Sequence, residues 1–280
     1  MSDNKTKIAA IQMASGPNVN ANLIEARRLI SLAVEAGAKL IVLPENFAIM
    51  GMEERDKVAV REKVGAGPVQ AFLAEQASSN RIWLVGGTIP LESSSPEKVR
   101  AACLLYNDNG SVVAQYNKTH LFDVHILQSN EKYIESETIE AGDNVVVADT
   151  PFGRLGLAVC YDLRFPELFR NMVNQGAEII AIPSAFTAVT GKAHWEILVR
   201  ARAIENLCYV VAAAQGGYHV NGRESYGDTM IVDPWGNVLD RLASGSGIVI
   251  ANYDRSQISK VRETFPVLRH RKLTCAVEEV

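Results

Sequence analysis

The chain has 280 residues, of which 48% are hydrophobic and 21% charged, and its formal net charge at pH 7 is −4. These values are ordinary for a globular protein, and without a cluster of Lys and Arg they argue against a nucleic-acid or anionic-membrane partner. The polar start MSDNKTK is unlike a signal peptide, and no apolar run is long enough to span a bilayer.

The cysteines and histidines give no metal or disulfide pattern. Four cysteines are too few for a secreted disulfide framework, none lies in a CxxC pair, and the five histidines lack metal-ligand spacing. We therefore expect a cytoplasmic, thiol-reduced protein that uses no metal and no cofactor.

Short β-branched runs alternate with helical segments along the chain, which predicts an α/β fold. The predicted strands cover residues 8–13, 40–43, 82–88, 102–106, 112–116, 155–159, 178–182, 209–213, 230–232 and 248–251, and the predicted helices cover residues 22–36, 68–79, 166–175 and 194–206.

An internal repeat defines the architecture further. GAKLIVLPENF at residues 37–47 resembles GAEIIAIPSAF at residues 176–186, and each phrase follows a strand and then a helix. We interpret residues 1–120 and 150–255 as two halves of a single domain covering residues 1–280. The expected fold is a four-layer α-β-β-α sandwich, with two sheets face to face and the helices outside.

Two further segments are irregular. Residues 121–142, between the halves, show no clear period, and a connection of this length is usually functional. The basic segment FPVLRHRK, from Phe265 onward, is expected to be extended and to be available to cover a partner subunit.

Cys160 ends an apolar strand and precedes Pro166, which fits the first turn of a helix. A thiol in that position gains from the helix dipole and from nearby cations, which lower its pKa and favour a nucleophile. The alternative is a buried core cysteine. Cys103 and Cys208 lie within apolar strands and are expected to be core.

Two charged residues follow other strands. Glu45 comes directly after LIVLP, where a carboxylate is either a loop residue facing water or, beside a cysteine, a general base. Lys118 follows the strand that ends in QYN, and an isolated lysine there is usually solvated.

Taken together, PEN at Glu45, NKTHLFD at Lys118 and CYDLRFPEL at Cys160 resemble, in this order, the nitrilase superfamily of carbon–nitrogen hydrolases. The resemblance covers nearly the whole chain. It implies that the glutamate is the general base, the lysine stabilises the tetrahedral intermediate and the cysteine attacks carbon. It also implies an α-β-β-α sandwich, a homodimer or larger homo-oligomer, and a further catalytic glutamate that matches Glu135.

Sequences in the second half narrow the resemblance. PSAFTAVTGKAHWEILVRARAIEN, CYVVAAAQ and SYGDTMIVDPWG are similar to the deaminated-glutathione amidases, which release 2-oxoglutarate and cysteinylglycine. The ω-amidases, which act on 2-oxoglutaramate, share the AHWE stretch and are the alternative. A small-molecule amide is therefore the expected substrate.

Four residues are candidates for substrate binding. Arg164, four residues after the nucleophile, suits the carboxylate of a 2-oxo acid, or it simply pairs with Asp162 or Glu167. The backbone N–H of Tyr161 is expected to meet the oxyanion, and Phe186 and Thr190 are expected to form pocket walls. A non-catalytic scaffold and a true nitrilase remain alternatives, which thiol reactivity and a nitrile–amide comparison would separate.

Overall fold

The computed structural model describes residues 6–128 and 130–273. In chain order its strands are β1 (Thr6–Gln12), β2 (Ala38–Val42), β3 (Trp83–Val85), β4 (Ile89–Glu92), β5 (Val99–Tyr106), β6 (Val112–Asn117), β7 (Asp123–Ile126), β8 (Glu131–Ile134), β9 (Val147–Thr150), β10 (Gly153–Leu157), β11 (Ile179–Ser184), β12 (Tyr209–Ala214), β13 (Gly216–Tyr218), β14 (Glu224–Tyr226), β15 (Thr229–Val232), β16 (Val238–Leu242) and β17 (Gly247–Tyr253). The α-helices are α1 (Val19–Glu35), α2 (Asp56–Ala59), α3 (Pro68–Asn80), α4 (Pro166–Asn174), α5 (Ala188–Asn206) and α6 (Arg255–Thr264).

Two large sheets form the centre of the molecule. The first has the strand order β17-β1-β2-β3-β5-β4, with β6 paired to β5, and the second has the order β16-β15-β12-β11-β10-β9. The sheets face each other, because β1 contacts β12 and β15, and β2 contacts β11 and β12. Helices α1 and α3 pack on the outside of the first sheet, and α4 and α5 are packed together outside the second. The predicted α-β-β-α sandwich is confirmed.

The central strands are apolar over their whole length because both faces of each sheet are covered. Every residue of strands β11 and β12 is buried. The residues of β1 from Ile8 to Gln12 are buried as well. The two halves also share a plan: β2 and β3 pair in parallel and continue into antiparallel β5 and β6, as β11 and β12 continue into β15 and β16. Residues at matching strand ends therefore meet at one edge of the sandwich.

Every predicted strand and helix is present, with some shifted bounds. Helix α5 begins at Ala188, six residues before the predicted start, because the side chain of Thr187 accepts a hydrogen bond from the backbone N–H of Thr190 and caps the helix there. Helix α6 was not predicted, although the side chain of Asp254 caps its first turn in the same way.

The irregular segment 121–142 is in part regular. Strands β7 and β8 form an antiparallel two-stranded sheet, followed by a 3-10 turn at Glu135–Glu137. A second small sheet, β13 with β14, lies within residues 216–226. From Phe265 to Leu273 the chain is turn-rich rather than extended, so that expectation was wrong, and Phe265 packs against Trp235.

Within residues 6–128 and 130–273, no helix is both long enough and apolar enough to cross a membrane.

Candidate active site

A cavity of about 260 Å³ collects the predicted catalytic residues. Glu45 reaches it from the loop after β2, Lys118 from the end of β6, Glu135 from the 3-10 turn after β8, and Cys160 from the turn after β10. Residues from both large sheets and from the connecting segment thus converge on one site, as expected from the carboxyl ends of α/β strands.

Lys118 is the centre of a buried charge cluster. Its Nζ lies 2.9 Å from Oε1 of Glu45 and 2.8 and 2.7 Å from the two carboxylate oxygens of Glu135. Burial disfavours the ammonium, but the carboxylates of Glu135 and Glu45 outweigh it and raise the pKa of Lys118 well above its usual value. Lys118 is therefore a permanent cation inside the cavity.

Glu135 is held from several sides. Burial favours its neutral form, but Lys118, Lys57 and a hydrogen bond from the backbone N–H of Phe122 (2.7 Å) together lower its pKa. Glu135 is therefore ionised, and its bonds to Lys118 fix the position of the ammonium.

Cys160 is 7% exposed and has a backbone φ of 48°, a left-handed conformation that costs a non-glycine residue about 1–3 kcal/mol. Burial and the carboxylate of Glu45 raise the pKa of its thiol well above the usual value, whereas Lys118 and a backbone hydrogen bond from Ala185 act in the opposite direction. The expectation of a lowered thiol pKa was therefore wrong, since desolvation outweighs the nearby cation. In the absence of substrate Cys160 is a thiol beside a carboxylate.

Asp162 stabilises the strained turn. It is fully buried and accepts hydrogen bonds from the backbone N–H of Val159 at 2.8 Å and from the hydroxyl of Tyr116 at 2.7 Å. Its other oxygen lies 3.1 Å from the backbone nitrogen of His120 and 2.7 Å from Nδ1 of the same residue. These bonds join the turn that carries Cys160 to the segment that carries Lys118.

The four predicted substrate-binding residues divide into two groups. Tyr161, Phe186 and Thr190 line the cavity. The guanidinium of Arg164 does not line it but lies over two residues that do, 5.8 Å from the ring centre of Tyr161 and 5.3 Å from that of Phe186. Its NH1 is 3.2 Å from Nδ1 of His194. The alternative pairing with Asp162 is wrong, because Tyr116, His120 and the backbone of Val159 occupy that carboxylate.

The sequence did not single out several lining residues. Lys132 and Tyr133 belong to segment 121–142, in which function was expected without a residue being assigned, and Arg223 belongs to the β13–β14 hairpin. Asn46, Glu54, Phe122, Ile134, Glu137 and Ala185 complete the lining. Asn46, Phe122 and Ala185 lie within or beside quoted motifs, and Ile134 and Glu137 flank Glu135. Among the described residues, no group of three or more His, Cys, Asp or Glu side chains is placed to hold a metal ion.

Comparisons with known proteins agree with this architecture. The carbon-nitrogen hydrolase family model matches residues 7–263. A Synechocystis protein named deaminated glutathione amidase is 43% identical over 94% of this chain and 97% of its own length, and a Yersinia enterocolitica protein of the same name is 40% identical over 96% and 94%. Among solved structures, Saccharomyces cerevisiae Nit3, described as a member of branch 10 of the nitrilase superfamily, is 31% identical over 96% of this chain and 97% of its own, with a TM-score of 0.86.

The sandwich fold and these matches define the class of protein: it is a hydrolase that acts on carbon–nitrogen bonds, with amidase function. The chain belongs to the carbon-nitrogen hydrolase family, within the nitrilase superfamily.

Proposed function

We propose that the protein hydrolyses deaminated glutathione to 2-oxoglutarate and cysteinylglycine, with Cys160 as nucleophile. The observation that carries the proposal is the buried Glu45–Lys118–Glu135 cluster around Cys160, in a chain 40–43% identical over nearly its full length to proteins named for this activity. We further propose that one domain covering the chain performs the reaction, as a homodimer or larger homo-oligomer in the cytoplasm.

In the first half of the proposed mechanism, Glu45 takes the proton of the Cys160 thiol as sulfur attacks the amide carbonyl. The negative charge that develops on oxygen is met by the ammonium of Lys118 and the backbone N–H of Tyr161. Glu45 then gives its proton to the departing nitrogen, the carbon–nitrogen bond breaks, and a thioester remains on Cys160.

Water completes the cycle. Glu45 removes a proton from a water molecule that adds to the thioester carbonyl, and the oxyanion forms again beside Lys118. The carbon–sulfur bond breaks and the proton returns from Glu45 to sulfur, which restores the starting state. Glu135 contacts no reacting atom in this scheme and acts by fixing the Lys118 ammonium.

The raised pKa of Cys160 fits this order of events. A thiol with a raised pKa needs a base to take its proton as it attacks, and the carboxylate of Glu45 already acts on the thiol electrostatically. Because Lys118 holds that carboxylate at 2.9 Å, the base and the oxyanion partner are positioned together.

The substrate is tested with three compounds: deaminated glutathione, 2-oxoglutaramate and glutathione. We expect kcat/KM to be highest for deaminated glutathione, because its dipeptide leaving group offers more contact area in the transition state. Release of 2-oxoglutarate or glutamate is measured, with Cys160→Ala as the blank. A clear preference for 2-oxoglutaramate would assign the protein to the ω-amidases, and equal rates on glutathione would remove the 2-oxo preference.

A further inference from the structure

Two small hairpins that lie outside the large sheets meet at the cavity. Tyr133 of β8 and Arg223, which precedes β14, both line it, and the guanidinium carbon of Arg223 is 5.2 Å from the ring centre of Tyr133. The hairpin turn is ordered locally, since the backbone N–H of Arg223 donates to the side chain of Asn221 at 3.0 Å. The backbone that carries Arg223 into the cavity is therefore held in one conformation.

The guanidinium of Arg223 is only partly satisfied. One terminal nitrogen donates to the backbone carbonyl of Ala185, the residue whose backbone also bonds to Cys160. Its Nε is shielded by the protein and has no hydrogen-bond acceptor among the residues that the structure describes, so it is not the atom that meets a ligand. The terminal nitrogens are the part of the guanidinium that can face the cavity, and two terminal N–H groups form a fork that matches a carboxylate.

Two other charged residues of the cavity already have partners. Lys118 is engaged by two carboxylates, and Glu54, the lining carboxylate that interacts electrostatically with Arg223, is paired with Lys57 at 2.6 Å. Lys132 places a second cation on the same β7–β8 hairpin as Tyr133.

We propose that Arg223 is a specificity-determining residue that receives the terminal carboxylate of the leaving group, with Lys132 contributing a second positive charge. The inference rests on the proposed function, in which the substrate carries one carboxylate on each side of the scissile bond. Arg164 is borne by the turn that carries Cys160 but does not line the cavity, whereas Arg223 and Lys132 do. Both are borne by small hairpins outside the large sheets, beside Tyr133, and we assign them to the leaving-group end of the substrate.

The experiment compares deaminated glutathione, its C-terminal glycinamide analogue and 2-oxoglutaramate on the wild type and on Arg223→Met. We expect the wild type to prefer the acid over the amide by about 10- to 100-fold in kcat/KM, the scale of a charge-assisted hydrogen bond. Arg223→Met should lose that preference by a rise in KM for the acid, with little change on 2-oxoglutaramate. Arg55→Met, which removes a surface arginine paired with Glu97, is the matched control and should behave as the wild type.

Each outcome has a separate meaning. If the wild type cleaves none of the compounds, the proposed function fails and this inference fails with it. If the wild type cleaves deaminated glutathione and its glycinamide analogue with equal kcat/KM, only the role of Arg223 is overturned. The wild type alone is enough to obtain this result. If Arg223→Met lowers kcat/KM equally for all three compounds, Arg223 positions Ala185 and does not bind the leaving group. Should Arg223→Met not fold, Arg223→Lys replaces it and is expected to reduce the preference, since it keeps the charge but not the fork.

Discussion

The ammonium of Lys118 lies 2.9 Å from a carboxylate oxygen of Glu45, and the two side chains are almost completely buried. Because Glu135 binds the same ammonium at 2.7 Å, two carboxylates share one cation in an environment of low dielectric. Removing the cation would leave two like charges facing each other without compensation. The charge balance of the site is therefore coupled to the stability of the fold.

The first prediction follows from that cluster. Glu45→Gln keeps the shape of the side chain but removes the proposed base, and Lys118→Met removes the proposed oxyanion cation at nearly constant length. Each should lower kcat by at least ~10²-fold, the usual scale for losing a general base or an oxyanion donor. Lys118→Met should also be destabilised by about 3–5 kcal/mol, because it leaves buried carboxylates unpaired. Steady-state kinetics and urea unfolding measure the two effects, and near wild-type turnover by either variant would contradict its role.

The second prediction separates the cysteines. Cys160→Ala should abolish turnover and remain folded, since one sulfur atom forms the covalent bond. Cys103→Ala and Cys208→Ala should retain activity but lose about 0.5–3 kcal/mol of unfolding free energy, because both side chains are fully buried in the core between the sheets and under the helices. Retention of more than trace activity by Cys160→Ala would exclude it as the nucleophile. Cys275 lies outside the described residues.

The third prediction concerns thiol ionisation. Since the pKa of Cys160 is raised, the thiolate is a minor species near neutral pH, and alkylation by iodoacetamide should accelerate about tenfold per pH unit up to that pKa. Glu45→Gln removes a group that raises the pKa and should react faster than the wild type at pH 8. Lys118→Met removes a group that lowers it and should react more slowly. Mass spectrometry of the modified peptide follows the rate, and the reverse order of the two variants would refute the electrostatic assignment.

The fourth prediction tests the turn that carries Cys160. Asp162→Asn should place an amide nitrogen where Asp162 now accepts bonds from Val159, Tyr116 or His120. We expect a loss of about 1–3 kcal/mol in stability and a fall in kcat, because a buried donor is left unsatisfied beside a strained residue. Tyr116→Phe removes one bond and leaves the carboxylate, so it is the matched control and should lose less of both. If Asp162→Asn is as active as Tyr116→Phe, the carboxylate does not position Cys160.

The sequence was sufficient for the sandwich and for the residues of strong motifs. Buried strands such as β11 and β12 read as continuous apolar runs, and Glu45, Lys118 and Cys160 follow such strands, so that topology brings them together. The hairpin β7–β8 was not predicted, because its strands are only four residues long, carry charged side chains and bury a single residue, Ile126.

Arg164 and Arg223 illustrate the other limit of the sequence. Proximity in sequence to Cys160 singled out Arg164, yet its guanidinium lies over the rings of Tyr161 and Phe186 and does not line the cavity. Arg223 is 63 positions from Cys160 in the sequence and reaches the cavity only through the β13–β14 hairpin. The distance of a residue from Cys160 along the sequence does not tell where its side chain points. Nor does it tell which distant hairpin packs against the cavity.

The last prediction concerns Arg164 and the acyl half of the substrate. Its guanidinium carbon lies 5.8 Å from the ring centre of Tyr161 and 5.3 Å from that of Phe186, and both rings line the cavity, so Arg164 acts on the substrate through these rings. Arg164→Lys keeps the charge but loses the planar guanidinium over the rings, and should lower kcat/KM by about tenfold. Because the 2-oxo acid end is common to deaminated glutathione and 2-oxoglutaramate, the loss should be alike for both, in contrast to Arg223→Met. His194→Ala, which removes the 3.2 Å contact but leaves the guanidinium, is the matched control and should lose less. A loss confined to deaminated glutathione would move Arg164 to the leaving-group side, and no loss on either compound would leave it a structural residue of the aromatic wall.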